Sequence, residues 1–122
     1  MRSDHRRSIG LRGEDIAADY LKRKGYSVLN RNFRTPYGEI DLVSEQGNSI
    51  VFTEVKTRAS KSLGPPEISI TRRKADHMRS AAEFYIQEYG EQYDEWRIDV
   101  ISVQIQTNET PLIVHFENAI TG

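Results

Sequence analysis

Two short apolar-rich runs constrain this chain more than anything else in it: Ile40–Val43 and Ile50–Val55, separated by Gln46-Gly47-Asn48. Glycine accepts positive φ without a Cβ clash, so Gly-Asn between such runs predicts a tight β-hairpin turn. If Gly47-Asn48 is a two-residue loop, position 46 faces 49 and paired positions sum to 95. A four-residue loop keeps that register, and a three-residue loop breaks it. In this register Asp41 lies opposite Glu54, and Glu39 lies opposite Lys56. Strand alternation then brings all four side chains to one face.

Opposed carboxylates repel, by about 4 kcal/mol for unit charges ~4 Å apart at an effective dielectric near 20. A lysine, a proton or a divalent cation would relieve this. Two readings follow from the residues alone. In one, Lys56 and Arg58 neutralise Glu39 and Glu54 in a purely structural cluster. In the other, the acids hold a metal ion.

The 122 residues suffice for one domain with one core, here taken as 1–122 with residues 1–8 mobile. No apolar run approaches the roughly 20 residues that a bilayer span needs, and no signal peptide is visible. The absence of cysteine excludes disulfides and thiolate zinc sites and fits a cytoplasmic setting.

The net charge of −1 hides a strong pattern. Residues 1–34 carry nine bases and four acids, and residues 35–55 carry four acids and no base. Residues 56–79 carry seven bases and two acids, and residues 80–122 one base and eight acids. Two basic blocks therefore flank the acidic hairpin, which suits a polyanion held over a metal site. Solvated charged faces without a partner would produce the same counts.

Along the chain, Ile16, Ala17, Tyr20 and Leu21 repeat at helical spacing, predicting a helix from about Ile9 or Gly13 that Gly25 ends. Glu14, near its start, either looks into the site or is an ordinary first-turn acid. Tyr26–Arg34 reads as a strand delivering Arg31 and Arg34 beside the hairpin, with Thr35-Pro36-Tyr37-Gly38 as a turn. Residues 59–67 form a Gly/Pro-marked loop expected to be exposed and flexible. Ser69 or Thr71 caps a second helix running to about Tyr89, with Gly90 at its break. Glu95–Val103 and Leu112–Phe116 are the last strands. Asp99, within an apolar strand, needs a partner, and Arg97 is the simplest one. His5, His77 and His115 lack ligand spacing and read as surface or packing residues. The order α-β-β-β-α-β-β predicts an α/β layered domain, a mixed sheet with helices on both faces. The second helix allows a parallel crossover to the fourth strand.

Asp41, then Glu54-Val55-Lys56 on the adjacent strand, after a helix bearing Glu14, resembles the PD-(D/E)XK nuclease superfamily. More of the chain resembles the YraN family of small bacterial proteins. The matching stretches are Gly10-x-x-Gly13-Glu14, Gly25-Tyr26, Arg31-Asn32-x-Arg34, Gly38-Glu39-Ile40-Asp41-Leu42, Val51-Phe52-x-Glu54-Val55-Lys56-x-Arg58, Ile70-Thr71-x-Arg73-Lys74 and Arg97-x-Asp99-Val100. Thr53, Arg72 and Ile98 depart from the family pattern, and none of them touches the implied chemistry.

The resemblance implies a restriction-endonuclease-like fold close to archaeal Holliday-junction resolvases. It implies Asp41 and Glu54 as metal ligands and catalytic residues, with Lys56 as the catalytic lysine. Glu14 would be a helix-borne acid near the metal, and Glu39 a supporting acid. Mg²⁺ or Mn²⁺ takes oxygen ligands, so the two carboxylates plus the Val55 carbonyl would form the donor set. Arg34, Arg58, Arg73 and Lys74 are candidates to hold phosphates. The expected activity is metal-dependent endonucleolytic hydrolysis of DNA, branched or structured DNA included, by a chain that does not enter membranes and is compatible with a homodimer. The rivals are a non-catalytic nucleic-acid-binding module or assembly factor on the same fold, and a protein-interaction domain with structural carboxylates.

Overall fold

The computed structural model describes residues 2–59, 69–106 and 108–120, with side chains from residue 9 onward. The expected loop at 59–67 lies, apart from Ala59, outside the described residues, as do the side chains of the stretch 1–8 expected to be mobile.

Helix α1 spans Arg2–Arg23, starting earlier than Ile9 or Gly13. It ends where the Tyr26 N–H bonds the Leu21 carbonyl and the Gly25 N–H that of Lys22, at 3.0 Å each, with Gly25 at φ +94°. This paired closure needs a left-handed residue, which glycine supplies. Strands β1 (Ser27–Thr35), β2 (Gly38–Gln46) and β3 (Ser49–Arg58) form an antiparallel meander. Helix α2 (Arg72–Tyr89) then crosses to β4 (Glu95–Gln104), which pairs parallel with β3, and β5 (Leu112–Phe116) pairs antiparallel with β4. The spatial order is β1-β2-β3-β4-β5, in one mixed sheet. Fold class and element order agree with the sequence expectation.

Thr71 caps α2, its hydroxyl accepting the Lys74 N–H at 3.1 Å. Ala81, Ala82 and Tyr85 of α2 are buried against Val43, Ile50, Phe52 and Ile98 on one sheet face. Ala17, Ala18 and Leu21 of α1 are buried against Leu42, Val51, Ile101 and Val103 on the other. The sheet is thus sandwiched: β4 is shut off from water for most of its length, and β3 over Ile50–Thr53, leaving its later residues half-exposed.

Two details of packing position the site. A Cβ built on Gly13 would lie 2.0 Å from Thr57 Oγ1, so α1 meets β3 closer than any other residue permits. The β1–β2 ladder skips one step, Asn32 and Asp41, between the pairs Arg31–Leu42 and Phe33–Ile40. Asn32 takes φ +53°, which asparagine tolerates better than most residues. Ile40 and Val43, three residues apart, consequently reach the same core. Strict alternation therefore fails at Asp41.

Candidate metal and phosphate site

The register of the central hairpin is the one the turn predicts: Gln46 pairs with Ser49, and the ladder runs to Leu42–Thr53. Gly47 sits at φ +59°. Asp41 and Glu54 are the next positions, and here the strands part. The Asp41 carboxylate accepts the Val55 N–H at 2.8 Å, a side chain standing in for the missing ladder bond. The expected pairing of Glu39 with Lys56 does not form. Past the break Glu39 stays in register with Arg34 of β1, with 3.8 Å between the charged groups.

Glu14 enters from α1. Its carboxylate accepts from Asn32 Nδ2 at 2.9 Å and lies 3.9 Å from Arg31, whose tighter partner is Asp15 at 2.7 Å. The left-handed turn at Asn32 thus serves two ends: it breaks the ladder beside Asp41 and aims an amide at Glu14. Asn32 was not among the residues expected at the site, although it stands in the Arg31-Asn32-x-Arg34 stretch that resembles the family.

From the opposite face α2 supplies Lys74, 3.3 Å from Glu54. Lys56, two residues along β3 from Glu54, makes no ion pair with a carboxylate among the described residues. The structural reading in which Lys56 and Arg58 neutralise Glu39 and Glu54 is therefore replaced by pairing with Arg34 and Lys74. Arg58 is half-buried and its Nη2 has no hydrogen-bond partner among the described residues. Arg73 is exposed on the first turn of α2. For Val55 the structure shows its N–H engaged, on Asp41.

Electrostatics follow this geometry. Burial first, then the Glu54 charge, push Asp41 from its ordinary 3.8 up to about 7, while the Val55 N–H pulls the other way. Glu14 is also raised, by burial above all; Arg31 opposes this, and the charges of Glu39, Asp15 and Glu54 add to it. Asp41 of β2 and Glu14 of α1 thus resist ionising beside the Glu54 carboxylate of β3. Asp41 and Glu54, but not Glu14, border a solvent-open cleft of about 530 Å³, whose other wall is α2 with Lys74, His77 and Met78. His77, read from sequence as a surface or packing residue, is exposed and lines this cleft.

A second cluster, Asp99, His115 and Glu117, also brings ligand atoms within 4.8 Å of one another. A guanidinium already spans it. Arg97 lies 2.9 Å from Asp99 and 3.2 Å from Glu117, and His115 Nε2 is 2.7 Å from Asp99. Burial alone would raise Asp99, but hydrogen bonds from His115, Arg97 and the Asn118 N–H outweigh it and hold the carboxyl below its usual range. The Arg97–Asp99 pairing agrees with the sequence expectation. The cluster is a structural ion network, whose cation is a side chain.

A sequence profile described as "Uncharacterised protein family UPF0102" matches residues 13–103. The chain belongs to the UPF0102 family. This is the YraN family that the motifs resemble. A UPF0102 protein of Syntrophomonas wolfei is 44% identical over 113 residues, covering 93% of this chain and 97% of its own. Among solved structures, an EndoMS–dsDNA2 complex overlays 69% of this chain and 30% of its own at 18% identity, with a TM-score of 0.36. The Ca²⁺ complex of Pyrococcus furiosus SfsA overlays 95% of this chain and 65% of its own at 12% identity, with a TM-score of 0.43. No helix among the described residues is long and apolar enough to cross a membrane.

Proposed function

We propose that this member of UPF0102 is a metal-dependent nuclease that hydrolyses phosphodiester bonds in DNA, with branched or otherwise structured DNA as the substrate class. One observation carries the reading. Asp41 is half-buried where the ladder ends, beside Glu54 and Glu14, at the edge of an open cleft, and its carboxyl is pushed up to about 7. Acids crowded in this way at a cleft are what a cation-binding site assembles.

The donor set fits a hard divalent cation. Asp41, Glu54 and Glu14 offer only carboxylate oxygens, the ligands Mg²⁺ and Mn²⁺ prefer, and their mutual repulsion is what a dication relieves. Asp41 and Glu54 would hold it, with Glu14 and the Val55 carbonyl adjoining. Bound there, it would polarise a phosphate oxygen and acidify a water. The Val55 N–H fixes one Asp41 oxygen and so orients the other. Lys56, without a carboxylate partner among the described residues, is available to position the attacking water. Lys74, Arg34, Arg58 and Arg73 supply positive charge for the flanking phosphates, and Glu39 holds Arg34.

The Lys74–Glu54 ion pair favours a second reading, in which the protein's own lysine neutralises the acids. The chain would then be a non-catalytic nucleic-acid-binding module or assembly factor.

Incubating the pure protein with linear, flapped and four-way DNA, each with Mg²⁺, Mn²⁺ or EDTA, decides between them. Cleavage that needs the cation supports the nuclease. Binding without cleavage under every condition supports the module.

A further inference from the structure

Five aromatic rings on the α2 side of the sheet engage one another, three of them in or against the core and Tyr89 and Trp96 reaching solvent. Phe33, Phe52, Tyr85, Tyr89 and Trp96 form one chain of edge-to-face and tilted contacts, with centroids 5.0–5.9 Å apart. Tyr37 and Phe84 make no ring contact with another aromatic side chain among the described residues. Tyr37 is 51% exposed at the β1–β2 turn, and Phe84 is half-buried on α2. The two rings border the same shallow depression of about 330 Å³, whose remaining lining is Ser80, Glu83 and Gln87. Tyr37 also lines the carboxylate cleft, so the depression and the cleft share one wall.

The turn carrying Tyr37 is held firmly for so exposed a ring. The Thr35 hydroxyl accepts the Tyr37 N–H at 3.0 Å and donates to the Gly38 carbonyl at 2.7 Å. Gly38 takes φ +126°, a conformation that side-chain-bearing residues rarely adopt. A braced, exposed aromatic costs little entropy when something stacks on it. The opposite edge of the depression offers hydroxyl, amide and carboxylate groups spaced along one helix face, which suits the polar rim of a planar ring.

From this we infer that Tyr37 and Phe84 form a subsite for one unpaired nucleobase beside the carboxylate cleft. A base within a duplex is stacked on both faces and cannot enter, so the subsite selects DNA carrying a single-stranded or unstacked nucleotide next to the phosphate in the cleft. The inference rests on the nucleic-acid reading above and names the substrate feature that reading leaves open.

The test is binding in EDTA, which needs no cleavage, using blunt duplex, a 5′-flapped duplex and a single strand containing 2-aminopurine. Wild type is expected to prefer the flapped and single-stranded probes and to quench 2-aminopurine on binding. Stacking is worth ~1–3 kcal/mol per base, so Tyr37→Ala should weaken those probes by roughly 5- to 150-fold, leave the duplex unchanged and abolish quenching. Tyr37→Phe should keep all three properties. Gln87→Ala, at an exposed position, should shift preference among bases without removing the quench. Equal losses on duplex and flap, or unaltered binding by Tyr37→Ala, would overturn the subsite and leave the nuclease reading intact. Wild type that binds no probe either in EDTA or with Mg²⁺ overturns both, whereas flap-selective binding in EDTA with no cleavage after Mg²⁺ or Mn²⁺ is added upholds the subsite and removes the nuclease.

Discussion

The Asp41 carboxylate sits 2.8 Å from the backbone N–H of Val55, where the carbonyl of a continuing β2 strand would otherwise lie. One side chain thereby ends the β2–β3 ladder and stays among acids. Burial and the Glu54 charge keep its proton on up to about pH 7, although an ordinary aspartate loses it near 3.8. A carboxyl raised on folding stabilises the native state below its unfolded value and loses that contribution as pH climbs through the folded one. In EDTA the melting temperature should therefore fall between about pH 4 and pH 7, and Asp41→Asn should flatten that fall. At pH 8 the variant should be more stable than wild type, by about 1–2 kcal/mol. Thermal melts across pH check this, and identical slopes for the two proteins would contradict it.

Metal ligation and catalysis should separate by residue. Millimolar Mg²⁺ is expected to raise the wild-type melting temperature, because a ligand bound to the native state alone stabilises it. Asp41→Asn and Glu54→Gln should each lose most of that rise. Lys56→Ala should retain it and cleave DNA at least 100-fold more slowly. Melts with Mg²⁺ and with EDTA, paired with cleavage rates, test both halves.

Gly13 should be irreplaceable for a steric reason. Its missing Cβ would fall 2.0 Å from Thr57 Oγ1 and 2.7 Å from Thr57 Cγ2. Gly13→Ala must push α1 off β3 and carry Glu14 with it, at a cost of about 1–3 kcal/mol. The double variant with Thr57→Gly should recover part of that loss. Urea denaturation reads both, and a midpoint unchanged in Gly13→Ala would mean the helix shifts freely.

Asp99 should matter to stability and not to cleavage. It is fully buried, bonded to Arg97, His115 and the Asn118 N–H, and lies in the ion network rather than at the cleft. Asp99→Ala leaves a partly buried guanidinium without its main partner and should cost about 3–5 kcal/mol. Glu117→Gln, at the exposed end, should cost less than about 1 kcal/mol. The Asp99 carboxyl is held below its ordinary value, so its contribution is present above about pH 4 and disappears as pH falls further. Urea midpoints at pH 7 and at a pH well below 4 check the size and the sign.

Phosphate contacts should show in salt dependence. If Arg34, Arg58, Arg73 and Lys74 each neutralise one phosphate of duplex DNA, affinity should drop about 100-fold between 50 and 200 mM salt. Arg73→Ala should lower the slope by about one while leaving the melting temperature within about 1 °C, since Arg73 is exposed. Affinity flat in salt would place the nucleic acid elsewhere or exclude it.

Local chemistry determined a good deal by itself. Gly47-Asn48 set the hairpin register, Ser69 or Thr71 and Gly90 bounded α2, and Gly25 closed α1, because caps and turns depend on backbone preferences of a few adjacent residues. That register put Asp41 directly opposite Glu54, which singled out the two acids, but the ladder ends one pair earlier, at Leu42–Thr53, and the pair does not form. The partners of those acids were not legible in the sequence. Glu54 takes Lys74 rather than Lys56, and Glu39 takes Arg34 rather than Lys56, because the docking of α2 and the break at Asn32 decide which charges meet. His77, Tyr37 and Phe84 joined the surroundings of the site the same way, from a helix face and a turn that approach one another only across the sheet. Hairpin pairing is a property of neighbours in sequence. The choice among competing cations and the shape of a cleft depend on distances between elements, which tertiary packing alone sets.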